Sequence, residues 1–452
     1  MDHNPRSDLR TLLASGLSKS LVSLFIKMAT AGLTYAMYVI LARLMGVVDY
    51  GYFAFGLSLA TILAIGANFG QQTAILRYWP EEMVAGRPGK ALEALRSGGA
   101  ITFIAGGTIS LALLGVSAIT DAVDPNPVLH LYASAALILP LALAEYWSSA
   151  LRAQGSVWTA LTPRDIVWRL ALPLFVVGLY YSGVTLSGWA ALLLTAVVLG
   201  LSLALQYRLA RANRYEIASG TQALRTYWTA HGKSSRSFFL GTVLDSAALN
   251  IDIIFVGLLV APAAAGVYFN AFRTAGLLTL FMFAITLVVA PMVSRHYHAG
   301  ERRQAQAITA LCAWAGFVFS LVVFAGFVLF GDQILSLFGS GQEDGKLILI
   351  LLSVGLLFDA ATGPSRIVLM MTGHERDYVR IFGSIVFAGM LIQLAVIPLF
   401  GLVGAAIVNM ATRITAQLAI AFFANRRIGL DTTLLGAFLV NRLADRPVAS
   451  TV

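Results

Sequence analysis

The chain has 452 residues, of which 58% are hydrophobic and only 12% charged, against about 25% charged in a soluble domain. That composition excludes a water-soluble globular protein, and with it most classes of soluble enzyme. The formal charge of +9 raises nucleic acid as a partner, but the placement of the basic residues argues against it.

The N-terminal "MDHNPRSDLRTLLASGLSKS" is polar and contains neither a short apolar core nor a cleavage site, so no signal peptide is expected. Beyond it, apolar stretches of the length needed to cross about 30 Å of hydrocarbon recur along the chain. They predict twelve spans, at about 20–42, 52–76, 97–119, 128–150, 164–183, 186–207, 236–258, 263–291, 306–330, 346–372, 378–399 and 402–424. Basic residues alternate with these spans. Arg6, Arg10 and Lys19 precede the first; Arg77, Arg87, Lys90 and Arg96 follow the second; Arg152 and Arg164 flank the next even connection. The series continues through Arg208 to Arg236, then Arg295, Arg302 and Arg303, then Arg376 and Arg380, and closes with Arg426, Arg427, Arg442 and Arg446. The odd connections "AITDAVDPNPV", "YYSGVTLSG", "LVAPAAAG" and "PLFGLVG" have neither Lys nor Arg; Arg43 and Lys346 stand at span edges. By the positive-inside rule both termini are cytoplasmic. Reporter fusions after residue 225 and at the C-terminus should both read cytoplasm, and an external signal at either would overturn this topology.

Twelve spans divide evenly at the longest basic connection. The expected organisation is a cytoplasmic segment 1–19, an N-lobe 20–207 with spans one to six, a basic linker 208–235, a C-lobe 236–424 with spans seven to twelve, and a cytoplasmic tail 425–452. The lobes also look related. "ARLMGVVDYGYFAFGLSLATIL" leads to the basic "RYWPEEMVAGRPGKA", and "GLLVAPAAAGVYFNAFRTAGLL" leads to "SRHYHAGERRQA". Six spans per lobe give both the same orientation, as in transporters built from parallel repeats.

Several chemistries lack their residues. "GRPGK" at 86–90 has neither the spacing nor the following Ser or Thr of a phosphate loop. The single cysteine, Cys312, falls inside a span and is read as packing. His296 and His298 lie on a basic segment and are read as without carboxylate or thiol company, so no metal or cofactor is expected. The longest outer connection, 331–345 ("GDQILSLFGSGQEDG"), is too short for a catalytic domain, which argues against an enzyme.

What remains is the ionisable set within the spans: Lys27, Glu145, Arg169, Asp245, Asp252, Arg273, Asp359, Arg366 and Arg413. Each costs about 2.5–3.5 kcal/mol or more at mid-membrane, so such groups face a bundle interior or a wet cavity. Span one shows a polar stripe of Ser20, Ser23, Lys27, Thr30, Thr34 and Tyr38 at steps of three and four. Glu145 lies seven before Arg152 with Ser149 between, and Arg169 lies one turn from Asp165, the spacing of a snorkelling ion pair. Asp245 and Asp252 are two turns apart, so both carboxylates fall on one face of span seven, about 10 Å apart. Asn250 falls roughly opposite and should matter little. Span eight offers Asn270, Arg273 and Thr274; span ten carries Asp359 and Arg366; span twelve sets Asn409, Arg413 and Gln417 at successive i+4 positions. Pro364 cannot donate to the Ala360 carbonyl, which predicts a kink there. Two readings stay open for Arg273 and Arg413: structural bridges to Asp245 and Asp359, or positive charge presented to an anionic substrate.

Four stretches carry a family resemblance: "YVILARLMGVVDYGYFAFGLSLATIL", "NIDIIFVGLLVAPAAAGVYFNAFRTAGLL", "VVAPMVSRHYHAGE" and "IPLFGLVGAAIVNMATR". In that order and spacing the chain resembles the Wzx-type polysaccharide flippases of the multidrug/oligosaccharidyl-lipid/polysaccharide exporter superfamily. The resemblance implies an all-α polytopic membrane fold, two six-helix lobes around a central cavity. It also implies transport of an undecaprenyl-pyrophosphate-linked oligosaccharide across the bacterial inner membrane. Lys27, Arg273, Arg413 and Arg366 would then present positive charge to the pyrophosphate or acidic sugars. Asp245, Asp252, Asp359 and Glu145 are the candidates for ion coupling. Expected partners are the lipid-linked glycan, the membrane, and polymerase and glycosyltransferase machinery, with no nucleic acid. An ion-coupled small-molecule antiporter of the same fold and an integral membrane glycosyl or acyl transferase stand as alternatives.

Overall fold

In hydrocarbon every backbone N–H and C=O must be bonded within the protein, so an apolar chain of this kind is confined to helices or a closed barrel. The computed structural model describes residues 26, 28–123, 128–218, 220–221, 224–339 and 345–440, and among the described residues there is helix and turn but no strand. The helices run α1 Met28–Leu44, α2 Val47–Ala67, α3 Gln71–Val84, α4 Pro88–Val123, α5 Leu129–Ala153, α6 Trp158–Leu161, α7 Trp168–Tyr181 and α8 Gly188–Ala212. They continue with α9 Leu224–Leu259, α10 Pro262–Ala275, α11 Thr279–His298, α12 Arg302–Leu335, α13 Gly345–Ala361, α14 Ser365–Met371, α15 Glu375–Ile428 and α16 Gly436–Leu439.

Over the described residues each expected span falls largely on helix, the first from Met28 on. Among the described residues eight helices are long and apolar enough to cross a membrane, and a ninth if α13 and α14 form one bent span. The remainder have local explanations. α15 holds the last two spans, which meet at Gly401 (φ 58°, ψ −141°), a conformation open to glycine. α6 and α7 are joined by a π-helical stretch, Thr162–Val167, so neither alone has spanning length. α12 kinks at Phe330 (φ −117°, ψ 16°), where the ninth expected span ends, and a further short helical stretch runs to Leu335. The basic connection at 208–235 is helical at both ends, within α8 and α9.

The chain divides into two compact units, one ending at Ile254 and the other beginning at Phe255. In the first, α5 is central, packing on α2, α4 and α8. Tyr146 of α5 is fully buried and its hydroxyl donates to the Leu95 carbonyl. In the second, α13 packs on α10, α12 and α15, and Cys312 is buried in this packing. On α4 and α12 the outward faces are strongly apolar: Leu111 and Ile119 are each 69% exposed, Leu311 72%. Such faces are stable against acyl chains and would aggregate in water.

Both units break the helix that follows their Gly-aromatic repeat. In the first, Phe69 (φ 46°) and Gly70 (φ 74°) interrupt α2 and α3. The fully buried Asn68 fills the gap, its amide donating to the carbonyls of Ala64 (3.0 Å) and Ala142 (3.3 Å). A Cβ on Gly70 would lie 2.6 Å from the Ser235 carbonyl oxygen and 2.7 Å from the Phe239 nitrogen, so this approach of α9 requires glycine. Phe239 stacks on Phe69 at 4.8 Å, and the Tyr227 hydroxyl donates to Gln71 Oε1 at 2.7 Å. In the second unit the corresponding break is a 3-10 turn, Gly276–Leu278, between α10 and α11.

Candidate functional site

In the first unit, α5 presents Glu145, Ser149 and Arg152 at steps of four and three, one face of a helix. The wide π turn carries Arg164 and Asp165 to that face, and α7 opens with Trp168 and Arg169. Arg164 Nη2 donates to Glu145 Oε1, and its Nη1 lies 3.7 Å from Asp165 Oδ1. Arg169 Nη1 lies 3.6 Å from the same Oδ1 and donates to the carbonyls of Arg164 (3.1 Å) and Asp165 (2.9 Å). The Arg169 guanidinium also lies 4.5 Å from the Trp168 ring centre, a cation–π arrangement. Arg152 donates to Ser149 Oγ at 2.9 Å and to the Ser148 carbonyl at 3.4 Å, both uncharged oxygens. Three guanidiniums thus gather around two carboxylates, with Asp165 buried at their centre.

Two expectations are refined here. Glu145 pairs with Arg164 and not with Arg152, because the π turn brings a residue 19 positions away closer than the neighbour two turns along its own helix. Arg164, counted above as a loop charge, is half-buried with 20% of its side chain exposed. The expected contact between Arg169 and Asp165 is present.

In the second unit, Asp359 lies near the C-terminal end of α13, facing the i+4 ladder on α15. Arg413 Nη1 is 3.5 Å from Asp359 Oδ2, and Gln417 Nε2 donates to Oδ1, so successive turns of α15 take one carboxylate oxygen each. Gly355, one turn before Asp359, makes room. A Cβ there would lie 3.3 Å from Met410 Cα and 3.4 Å from Arg413 Cδ. Beyond Asp359 the span breaks and bends by 44°. Gly363 (φ 66°) and Pro364 make that break, as the proline predicts. The chain after α15 closes on it, Leu434 N donating to the Ala361 carbonyl at 3.0 Å and Ser365 Oγ lying 2.6 Å from Thr432 Oγ1. Arg366, exposed on α14, has its guanidinium 5.2 Å from the Tyr378 ring centre and within electrostatic reach of Asp359.

Arg273 occupies the last turn of α10, where a cation complements the helix dipole. Its guanidinium lies 4.7 Å from the Phe269 ring centre, and its neighbours Asn270 and Thr274 are fully buried. α9 is continuous through Asp245 and Asp252, so the two-turn spacing holds; Asp252 is buried and Asp245 half-buried. On the continuous α9, Asn250 falls away from the face shared by Asp245 and Asp252. It is buried and donates to the Ser246 carbonyl at 3.0 Å. Lys27, Ser20 and Ser23 lie outside the described residues; of that stripe, Thr30 and Tyr38 are buried. His296 has a carboxylate neighbour after all, its Nδ1 hydrogen-bonded to Glu301 Oε2, since the turn at Gly300 (φ 78°) folds the chain back. No group of three metal-binding side chains occurs among the described residues.

This arrangement of broken, lipid-facing helices is the fold of the MOP superfamily transporters. An inward-facing multidrug resistance MATE family transporter of that superfamily is 18% identical, with a TM-score of 0.69 over 91% of this chain and 98% of its own. A MOP superfamily transporter from Pyrococcus furiosus is 15% identical, with a TM-score of 0.64 over 91% of this chain and 95% of its own. A Vibrio cholerae MATE transporter is 16% identical, with a TM-score of 0.60 over 93% of this chain and 98% of its own. Within the superfamily the chain belongs to the polysaccharide biosynthesis protein family, whose model matches residues 17–298. A MatE model matches residues 238–390. No curated protein matches the chain.

Proposed function

We propose that this protein moves an undecaprenyl-pyrophosphate-linked oligosaccharide across the bacterial inner membrane for polysaccharide export, by alternating access. The observation that carries the reading is the surplus of guanidinium over carboxylate in the charge cluster of the first unit. Arg152, Arg164 and Arg169 stand there against Glu145 and Asp165. A pyrophosphate is a fork-shaped anion that arginine binds through paired, charge-assisted hydrogen bonds, whereas a cationic drug calls for the opposite balance. Membership of the polysaccharide biosynthesis family supports the same substrate class. Arg273, Arg413, Arg366 and Lys27 are the proposed anion-binding groups. Glycosyltransferases that supply the lipid-linked glycan and a polymerase that consumes it are the proposed partners.

The second reading, an ion-coupled antiporter, draws on the MatE match and on buried Asp252 with Asp245, Asp359 and Glu145 as coupling carboxylates. Proteoliposomes separate the two. With a fluorescent polyprenyl-pyrophosphate oligosaccharide loaded on one leaflet, the protein should carry label to the other, while a pH or sodium gradient should drive no efflux of a cationic dye. Gradient-driven dye efflux without glycolipid movement would give the function to the antiporter.

A further inference from the structure

α8 carries a second feature that the transport reading does not use. Gly200, Leu203, Ala204, Tyr207, Arg208 and Arg211 follow one another at steps of three, one, three, one and three, a single stripe along the helix. With Trp147 of α5 and Ile217 they line an open groove of about 690 Å³ in the first unit, its wall exposed at Ala204, Tyr207, Arg208 and Arg211. The stripe is graded. Its N-terminal end is apolar, Tyr207 lies about 10 Å along the axis from Gly200, and Arg208 and Arg211 close it at about 12 and 16 Å. Arg211 is held in place, its guanidinium 5.0 Å from the Tyr207 ring centre. No carboxylate stands among the described lining residues. Arginines placed only by the positive-inside rule need no groove beneath them and no graded wall.

We infer that this groove binds one anionic glycerophospholipid of the cytoplasmic leaflet, its phosphate on Arg208 and Arg211 and an acyl chain along Tyr207, Leu203, Ala204 and Gly200 towards Trp147. Apolar depth, an aromatic at the interface and paired cations above it match such a lipid from tail to head. Free phosphate has the charge but nothing to fill the apolar part. A neutral-headgroup lipid has the tail but no net charge. The inference does not rest on the transported substrate.

Gly200 supplies a test that leaves both arginines intact. A Cβ built there meets no atom within 4 Å, so Gly200→Leu projects its side chain into the open space where the acyl chain would run. The purified protein, titrated with phosphatidylglycerol and observed by native mass spectrometry, should retain the lipid. Gly200→Leu should lose it, and Arg208→Gln with Arg211→Gln should weaken retention by roughly 25-fold, about fivefold per charge. Phosphatidylcholine should be retained no better than by the double variant, and inorganic phosphate should not displace phosphatidylglycerol. Equal retention of phosphatidylglycerol by wild type and Gly200→Leu would overturn the site. Displacement by inorganic phosphate would make it a simple anion site, and equal competition by polyprenyl pyrophosphate would make it part of the transport path; either refutes a separate lipid site. Should the double glutamine variant fail to fold, Gly200→Leu decides alone.

Discussion

Replacing Arg164 with alanine is expected to cut the folded, monodisperse protein recovered from membranes by at least about tenfold. Arg164 touches both acids of the first cluster, Glu145 and Asp165. Asp165 is 1% exposed, so without Arg164 its carboxylate loses one of the cations gathered around it in a site that water reaches poorly. Removing one partner from a buried ion pair costs about 3–5 kcal/mol, because the other charge is left in a medium that solvates it poorly. Glu145 keeps 30% of its side chain exposed and recovers part of that cost from water, so the lower end of the range applies. Even about 3 kcal/mol is a large share of a typical folding margin of about 5–15 kcal/mol. The double change Arg164→Met with Glu145→Gln should restore much of the yield, since it removes a charge of each sign and keeps the volume. Size-exclusion profiles and thermal unfolding in detergent read both effects. If Arg164→Ala accumulates and melts like wild type, the cluster does not hold the fold, and Arg164 joins the groups available to substrate.

That cluster also marks where sequence reading stops. The spans are legible because lipid imposes a length and an apolar composition, and the alternation of basic connections checks the count. The break at Gly363 and Pro364 is legible because proline lacks the N–H that a continuing helix needs. The break at Asn68–Gly70 is not. "GANFGQQ" lies inside the expected span 52–76, and only the approach of α9 shows why its glycine is required. Arg164 is misplaced for a related reason. Hydropathy sets it at a span edge, but a π turn changes which side chains share a face, and no periodicity of 3.6 anticipates that. Pro163 beside two charged residues is the trace it leaves in the sequence. The ladder Asn409, Arg413 and Gln417 is visible from spacing, and the sequence offers Asp359 as a bridging partner for its arginine. The role of Gly355 in letting Arg413 lie against α13 emerges only in three dimensions.

Arg413 and Arg273 should behave differently from Arg164: alanine at either is expected to abolish glycan export while protein levels stay near normal. For Arg413 the fold has two reserves. Its pair with Asp359 is as exposed as that of Arg164 with Glu145, at 20% and 29% of the two side chains, but Arg413 does not also hold a second, fully buried carboxylate as Arg164 holds Asp165. Gln417 remains hydrogen-bonded to the other carboxylate oxygen. Arg273 sits at a helix end over Phe269, where alanine loses a favourable dipole contact of about 0.3–1 kcal/mol and a cation–π contact of similar size. Each of these losses is small against a typical folding margin of about 5–15 kcal/mol. A charge-assisted hydrogen bond to an anionic substrate is worth about 1.5–3 kcal/mol, or roughly 10- to 150-fold in affinity for each one lost, and an arginine fork makes two. Arg413→Lys should fall between wild type and alanine, because a lysine keeps the charge but not the fork. Complementation of an export-deficient strain, with membrane levels measured alongside, separates binding from folding. The structural reading would win if Arg413→Ala failed to accumulate and Asp359→Asn in the same chain restored both protein and export: the carboxylate would then be what the guanidinium is there to neutralise, and the anion site would have to be sought at other cations.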